Sequence, residues 1–181
     1  MVTISLRGQI THTSGELPAT GEAAPAFTLL DVNLQSRSLA DFRGRRKLIY
    51  VLPSLDTPVC AKSTRLLVEK LRAAGEEGDD VAVLVISADL PFAQQRYCLQ
   101  HKLLEVTPLS LHRHPGFADD YGVMITDGPL AGLTARAILV VDEQDTVRYT
   151  ELVTDIADEP DYSAALKALR DAATVKTQGQ A

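Results

Sequence analysis

Apolar positions along the chain switch between a period of two and a period near 3.6, and the switches mark out its elements. Val2, Ile4 and Leu6 alternate with polar residues, Arg7-Gly8 offers a turn, and a second short run begins at Ile10, which predicts an N-terminal β-hairpin. Residues 13–25 are rich in Gly, Pro, Ala and Glu without periodicity and read as a surface loop. A short strand at Phe27–Leu30 follows, then a polar connection, and Ser38–Gly44 reads as a helical turn ended by glycine. Lys47–Leu52 is a central strand, and Ala61–Ala74 is an amphipathic helix. Val81–Ile86 is a continuous apolar run bounded by turn signals, which suits a strand buried on both faces of a parallel sheet. Ser87 or Asp89 can cap the next helix, with Pro91 in its first turn and Cys98 about two turns in. A strand at Val106–Leu111, a short helix at Pro115–Tyr121 and an irregular glycine-rich loop at Val123–Leu133 come next. The strands Arg136–Val141 and Val147–Val153 form a hairpin across Asp142–Thr146, and a last helix from Asp161 to Ala173 carries Tyr162, Leu166 and Leu169 on one face.

This order describes an α/β chain with a thioredoxin-like plan, a central mixed sheet flanked by helices, extended by the N-terminal β-hairpin. The expected organisation is a single domain over 1–173 with a disordered tail over 174–181. A length of 181 residues suits one well-buried core, and 45% hydrophobic with 23% charged residues fits a soluble globular protein. No apolar run approaches the roughly 20 residues that span a bilayer, and Met1–Arg7 lacks a basic region followed by an apolar one. No membrane partner and a cytoplasmic location are therefore expected. Arg45-Arg46 lies mid-chain beside a strand and reads as a solvated turn rather than an export signal. With 24 acidic against 18 basic side chains, the net charge of −6 argues against nucleic acid as a partner.

The candidate chemistry lies in Pro53-Ser54-Leu55-Asp56-Thr57-Pro58-Val59-Cys60, between the central strand and the first long helix. Thr57 followed by Pro58 is a helix-start signal, because a hydroxyl at the N-cap accepts a backbone N–H and proline fits the first helical position. Cys60 then falls in the first turn, where unpaired N–H groups and the positive end of the helix dipole stabilise an anion. It reads as a thiolate nucleophile. Two cysteines outside a C-x-x-C arrangement fit neither a thioredoxin-type dithiol nor a zinc site. His112 and His114 alternate as on one strand face but lack companion ligands, no phosphate-binding glycine motif is present, and Asp119-Asp120 reads as a solvated helix face. No metal and no cofactor are expected.

Pro53, Thr57 and Cys60 match the proline, threonine and cysteine spacing of the peroxiredoxins, and the stretch resembles their active-site signature. Ile86–Gln94 with Cys98 close behind, and Asp127–Arg136, are similar to two further stretches of the thiol peroxidase subfamily. The likeness runs from about Val2 to about Arg170. It implies a thiol peroxidase that reduces hydrogen peroxide and organic hydroperoxides, with Cys60 as the peroxidatic cysteine that becomes a sulfenic acid. It implies that Cys98 resolves this acid to a Cys60–Cys98 redox disulfide, that thioredoxin is the reductant, and that the protein is a homodimer. Thr57 is expected to position peroxide and thiolate, Pro53 to shield the thiol from water, and Arg136 to stabilise the reacting atoms with its guanidinium fork. If both thiols lie in helices, joining them requires local unwinding at the first turn of Cys60 and around Cys98. Two other readings stay open: a one-cysteine peroxidase resolved by an external thiol, and a non-catalytic thioredoxin-fold binding protein.

Ionisation alone supplies little of such a reaction. Moving a thiol from about 8.5 to about 6 raises its thiolate fraction at pH 7 about thirtyfold, yet costs about thirteenfold in nucleophilicity. Most of the rate must come from donors aimed at charge developing on oxygen, each worth on the order of 10² to 10³.

Overall fold

The computed structural model of the chain describes residues 1–173, so the expected tail over 174–181 lies outside the described residues. In chain order the strands are β1 (Thr3–Leu6), β2 (Gln9–His12), β3 (Thr28–Leu30), β4 (Ser36–Ser38), β5 (Arg46–Val51), β6 (Val81–Ser87), β7 (Val106–Ser110), β8 (Ala137–Val141) and β9 (Val147–Leu152). The α-helices are α1 (Pro58–Ala74), α2 (Pro91–His101), α3 (Gly116–Asp120) and α4 (Tyr162–Asp171), and Leu39–Phe42 forms a 3-10 turn. β1 and β2 make the separate hairpin, and the other seven strands form one sheet in the order β4-β3-β7-β6-β5-β8-β9. β5, β6 and β7 run parallel, while β3, β4, β8 and β9 pair antiparallel at the two sides.

Side chains alternate across a strand, so each continuous apolar run feeds two cores. Leu48 and Tyr50 of β5, Val83 and Val85 of β6, and Ile138 and Val140 of β8 pack with Leu67 and Val68 of α1 and Leu166 and Leu169 of α4. Ile49, Val51, Leu84, Ile86 and Leu139 point the other way, into a core with Phe27, Phe42, Phe117 and Tyr121. The run Val81–Ile86, read as a strand buried on both faces, is so in the structure.

The hairpin closes through Arg7 (φ 50) and Gly8 (φ 81), a left-handed pair that suits a two-residue turn. It is tied to the rest of the molecule near the end of β9. Asp155 accepts the N–H groups of Arg7 at 3.0 Å and Gly8 at 2.9 Å, and Ile4 is buried with Ile125, Ala135 and Ile156. The Ala157 N–H at 3.0 Å, with these two bonds, holds the Asp155 carboxyl well below the usual carboxylate range.

Four local expectations are corrected. β4 adds a strand within the polar connection, where Ser36–Ser38 pairs with β3 through backbone bonds that need no apolar side chains. Neither Ser87 nor Asp89 caps α2; Leu90 takes the N-cap position without a side-chain bond, because the Asp89 carboxylate is bound to Ser54, Leu55 and Ser87. His112 and His114 follow the end of β7 in a turn rather than sharing a strand face. The solvated turn read at Arg45-Arg46 is a half-buried bend at Arg45 followed by a buried strand end at Arg46. Arg46 is 6% exposed and donates to Glu76 at 3.1 Å, to Asp80 at 2.6 Å and to the Leu169 carbonyl at 2.8 Å. Acidic residues in the loop after α1 make that burial tolerable.

The next residue, Lys47, is fully buried, with Nζ 2.5 Å from Asp145 Oδ1. Asp145→Asn keeps an oxygen acceptor but removes the compensating charge. It is expected to lower unfolding stability by about 2 kcal/mol, read as a lower urea midpoint at unchanged slope. An unshifted midpoint would show that Lys47 finds another partner.

Candidate active site

β5 stops where Pro53 cannot donate to the ladder, and the chain turns through 54–57 into α1. Thr57 is the N-cap, with extended backbone (φ −88, ψ 141), and Pro58 stands at the first helical position. Thr57 Oγ1 accepts the Cys60 N–H at 3.3 Å and donates to the Ser54 carbonyl at 3.0 Å, so the cap expected from the sequence is formed. Asp89 fastens the loop from outside, accepting Ser54 Oγ at 2.5 Å and the Leu55 N–H at 2.7 Å. Cys60, the third residue of α1, is thereby placed in the first turn with 2% exposure and a free thiol.

Arg136 immediately precedes β8, beside β5, and is fully buried. Its guanidinium has five N–H groups. Nε donates to the Ile156 carbonyl at 2.9 Å, and Nη1 donates to Tyr50 Oη and Ser63 Oγ, both at 2.8 Å. Nη2 lies 3.2 Å from Cys60 Sγ. One Nη2 N–H remains without a partner among the described residues, on a side chain that lines the cavity beside the sulfur. Burial opposes the charge on Arg136, but the Tyr50 oxygen and the Cys60 sulfur outweigh it, and the net effect holds the proton more firmly.

Sequence reasoning missed Tyr50 and Ser63. Tyr50 donates to Ser63 Oγ at 2.9 Å, and Ser63 Oγ donates to the Cys60 carbonyl at 3.1 Å. The available signals were a phenol inside an apolar strand and a serine three residues after Cys60, on the same helix face. Burial pushes the Tyr50 phenol upward, which keeps it neutral beside the guanidinium.

Pro53, Thr57, Cys60 and Arg136 line one cavity of about 310 Å³. Leu6, Leu130, Leu133 and Ile156 make its wall largely apolar, and Arg7 at the hairpin tip contributes to its rim. A wider hollow of about 530 Å³ beside Asp142, Arg148 and Ala168 contains neither cysteine. Cys98 is not among the residues lining the Cys60 cavity. It lies half-buried on α2 with a free thiol, packed against the core that contains Cys60, and burial pushes that thiol up to about 11. No group of three or more His, Cys, Asp or Glu able to hold a metal occurs among the described residues. Chemically, the cavity offers a sulfur nucleophile, a fixed cation beside it, and room for a small molecule against an apolar wall.

The redoxin family pattern matches residues 19–166. A thiol peroxidase of Mycobacterium tuberculosis is 50% identical over 169 residues, covering 93% of this chain and 99% of that protein. A thiol peroxidase of Vibrio cholerae is 39% identical over 168 residues, covering 93% and 100%. Among solved structures, a peroxiredoxin-like protein from Aquifex aeolicus superposes with a TM-score of 0.86 at 32% identity, covering 94% of this chain and 97% of the other. The chain therefore belongs to the redoxin family, and within it to the peroxiredoxins of the thiol peroxidase type.

Proposed function

We propose that this thiol peroxidase reduces hydrogen peroxide and organic hydroperoxides through Cys60. The observation that carries the reading is Arg136 Nη2 at 3.2 Å from Cys60 Sγ, inside a cavity that also holds Thr57 and Pro53. The sulfur attacks the nearer peroxide oxygen: an S–O bond forms, the O–O bond breaks, and the departing oxygen leaves as water or alcohol after taking a proton. The spare N–H of Arg136 meets the charge developing on oxygen, while the Ile156, Tyr50 and Ser63 contacts fix the fork in advance. Pro53 contributes wall without an N–H to hold water, and the Thr57 hydroxyl turns from Ser54 to the peroxide.

Cys98 then attacks the sulfenic sulfur; the S–S bond forms, the S–O bond breaks and water leaves. A thioredoxin-type dithiol returns both cysteines to thiols. The working unit is a homodimer in the cytoplasm; among the described residues no helix is long and apolar enough to cross a membrane. The placement of Cys98 away from the Cys60 cavity favours a second reading, in which an external thiol resolves the sulfenic acid. An NADPH-coupled assay with thioredoxin and its reductase, run on the wild type and on Cys98→Ser, separates them. Sustained turnover of hydrogen peroxide by the wild type and none by Cys98→Ser is expected; turnover retained by Cys98→Ser would favour external resolution, and no peroxide consumption by the wild type would remove the peroxidase reading.

A further inference from the structure

A part-buried bond fastens the helices that carry the two cysteines. The hydroxyl of Tyr97, adjacent to Cys98, donates to the carbonyl of Ala61, adjacent to Cys60, at 2.5 Å. Tyr97 is 6% exposed, and its ring lies 4.7 Å from that of His101 on the same helix. Burial pushes its phenol up to about 12, so it remains a neutral donor. A neighbouring tie, Arg96 to Asp56 at 3.3 Å, joins side chains 69% and 59% exposed and is weakened by solvent.

A disulfide needs Cβ atoms about 3.8 Å apart in a narrow range of torsions. Cys60 lies in the first turn of α1 and Cys98 within α2, outside the Cys60 cavity. Bringing the sulfurs together unwinds one helix or both, and that movement displaces Ala61 or Tyr97 because each is the next residue to a moving cysteine. We infer that Tyr97 is a positioning residue for the resolving step, its hydroxyl holding the first turn of α1 against α2 and setting how long the Cys60 sulfenic acid waits for Cys98. This rests on the peroxidase reading above.

The waiting time has a chemical consequence. The sulfenic acid can react with the Cys98 thiol, giving the disulfide and water. It can instead take a second oxygen from another peroxide, giving sulfinic acid while that peroxide becomes water or alcohol. The Cys98 thiol, pushed up to about 11 by burial, has only about 10⁻⁴ of its population as thiolate at pH 7, against about 3% for a solvated thiol. Opening thus both brings Cys98 within reach and makes it reactive.

Tyr97→Phe keeps the ring and removes the bond, which is expected to populate the opened arrangement about fivefold more. Reduced protein is mixed with rising hydrogen peroxide, alkylated and weighed. The peroxide concentration that divides Cys60 equally between disulfide and sulfinic acid is expected to rise about fivefold in Tyr97→Phe, with the first attack on peroxide unchanged. An unchanged or lower concentration, with the Cys60–Cys98 disulfide still formed, overturns the role of Tyr97 alone. Failure of the wild type to form that disulfide overturns intramolecular resolution, and the role of Tyr97 with it. Hydrogen exchange of the wild type gives a second test that does not depend on the variant folding: the amides of the first turn of α1 and those around Tyr97 are expected to open together, and independent opening would contradict the inference.

Discussion

Cys98→Ser protein is expected to consume one equivalent of hydrogen peroxide at the wild-type rate and then to show no catalytic turnover, further peroxide being taken up only as Cys60 is oxidised beyond the sulfenic acid. The first step uses the cavity, and Cys98 does not line it, so the substitution leaves Pro53, Thr57, Cys60 and Arg136 in place. A serine hydroxyl fits the half-buried site on α2 but does not attack a sulfenic sulfur. Thioredoxin-coupled turnover should fall to the background of Cys60→Ser protein, and excess peroxide should add two oxygens at Cys60. In the wild type, closing a loop of about 40 residues constrains the unfolded chain by roughly 3–4 kcal/mol in the entropic account, so loss of the disulfide is expected to destabilise the oxidised form. Coupled turnover retained by Cys98→Ser would assign resolution to an external thiol.

Arg136→Met is expected to lower the second-order rate constant for oxidation of Cys60 by hydrogen peroxide by about 10² to 10³. Methionine matches much of the length but offers no N–H to the sulfur or to the leaving oxygen. It also leaves the Ile156 carbonyl, Tyr50 and Ser63 without the donor they share, so the variant will be less stable. Arg136→Lys separates the two effects. It restores charge without the fork that reaches four acceptors, and is expected to recover stability more fully than rate. Circular dichroism identifies the temperature range in which each variant is folded, and stopped-flow thiol oxidation gives the rate there. A loss below about tenfold in folded Arg136→Met would place the main stabilisation elsewhere, on the backbone amides at the start of α1.

What the sequence disclosed follows from which interactions are local. Thr57-Pro58 announces the start of α1 because N-cap and first-turn preferences act within four residues, and the apolar runs at 48–52 and 81–86 announce buried strands because nothing else suits them. β4 gave no signal, since three polar residues at a sheet edge are held by backbone bonds alone. Charge burial was equally silent. Arg46 and Lys47 resemble any basic pair until folding brings Glu76, Asp80 and Asp145 to them, the last from 98 residues away.

The site divides in the same way. Pro53, Thr57 and Cys60 lie in one short stretch and could be read together, whereas Arg136 was assigned through family likeness and reaches Cys60 across 76 residues. Tyr50 and Ser63 looked like a strand phenol and a helix serine, and their service to Arg136 exists only in three dimensions. Asp89 was read as a helix cap because its position before Pro91 fits one; the competing demand came from Ser54 and Leu55, a loop distant in sequence.

The central claim is that Cys60 is oxidised by peroxide and Cys98 resolves it within the same chain. Its most direct test is the intact mass of reduced wild-type protein after one equivalent of hydrogen peroxide, followed by nonreducing peptide mapping. The expected result is the loss of two hydrogens and a crosslinked peptide pair containing Cys60 and Cys98. A gain of oxygen at Cys60 with Cys98 free, or two unchanged thiols, would contradict it.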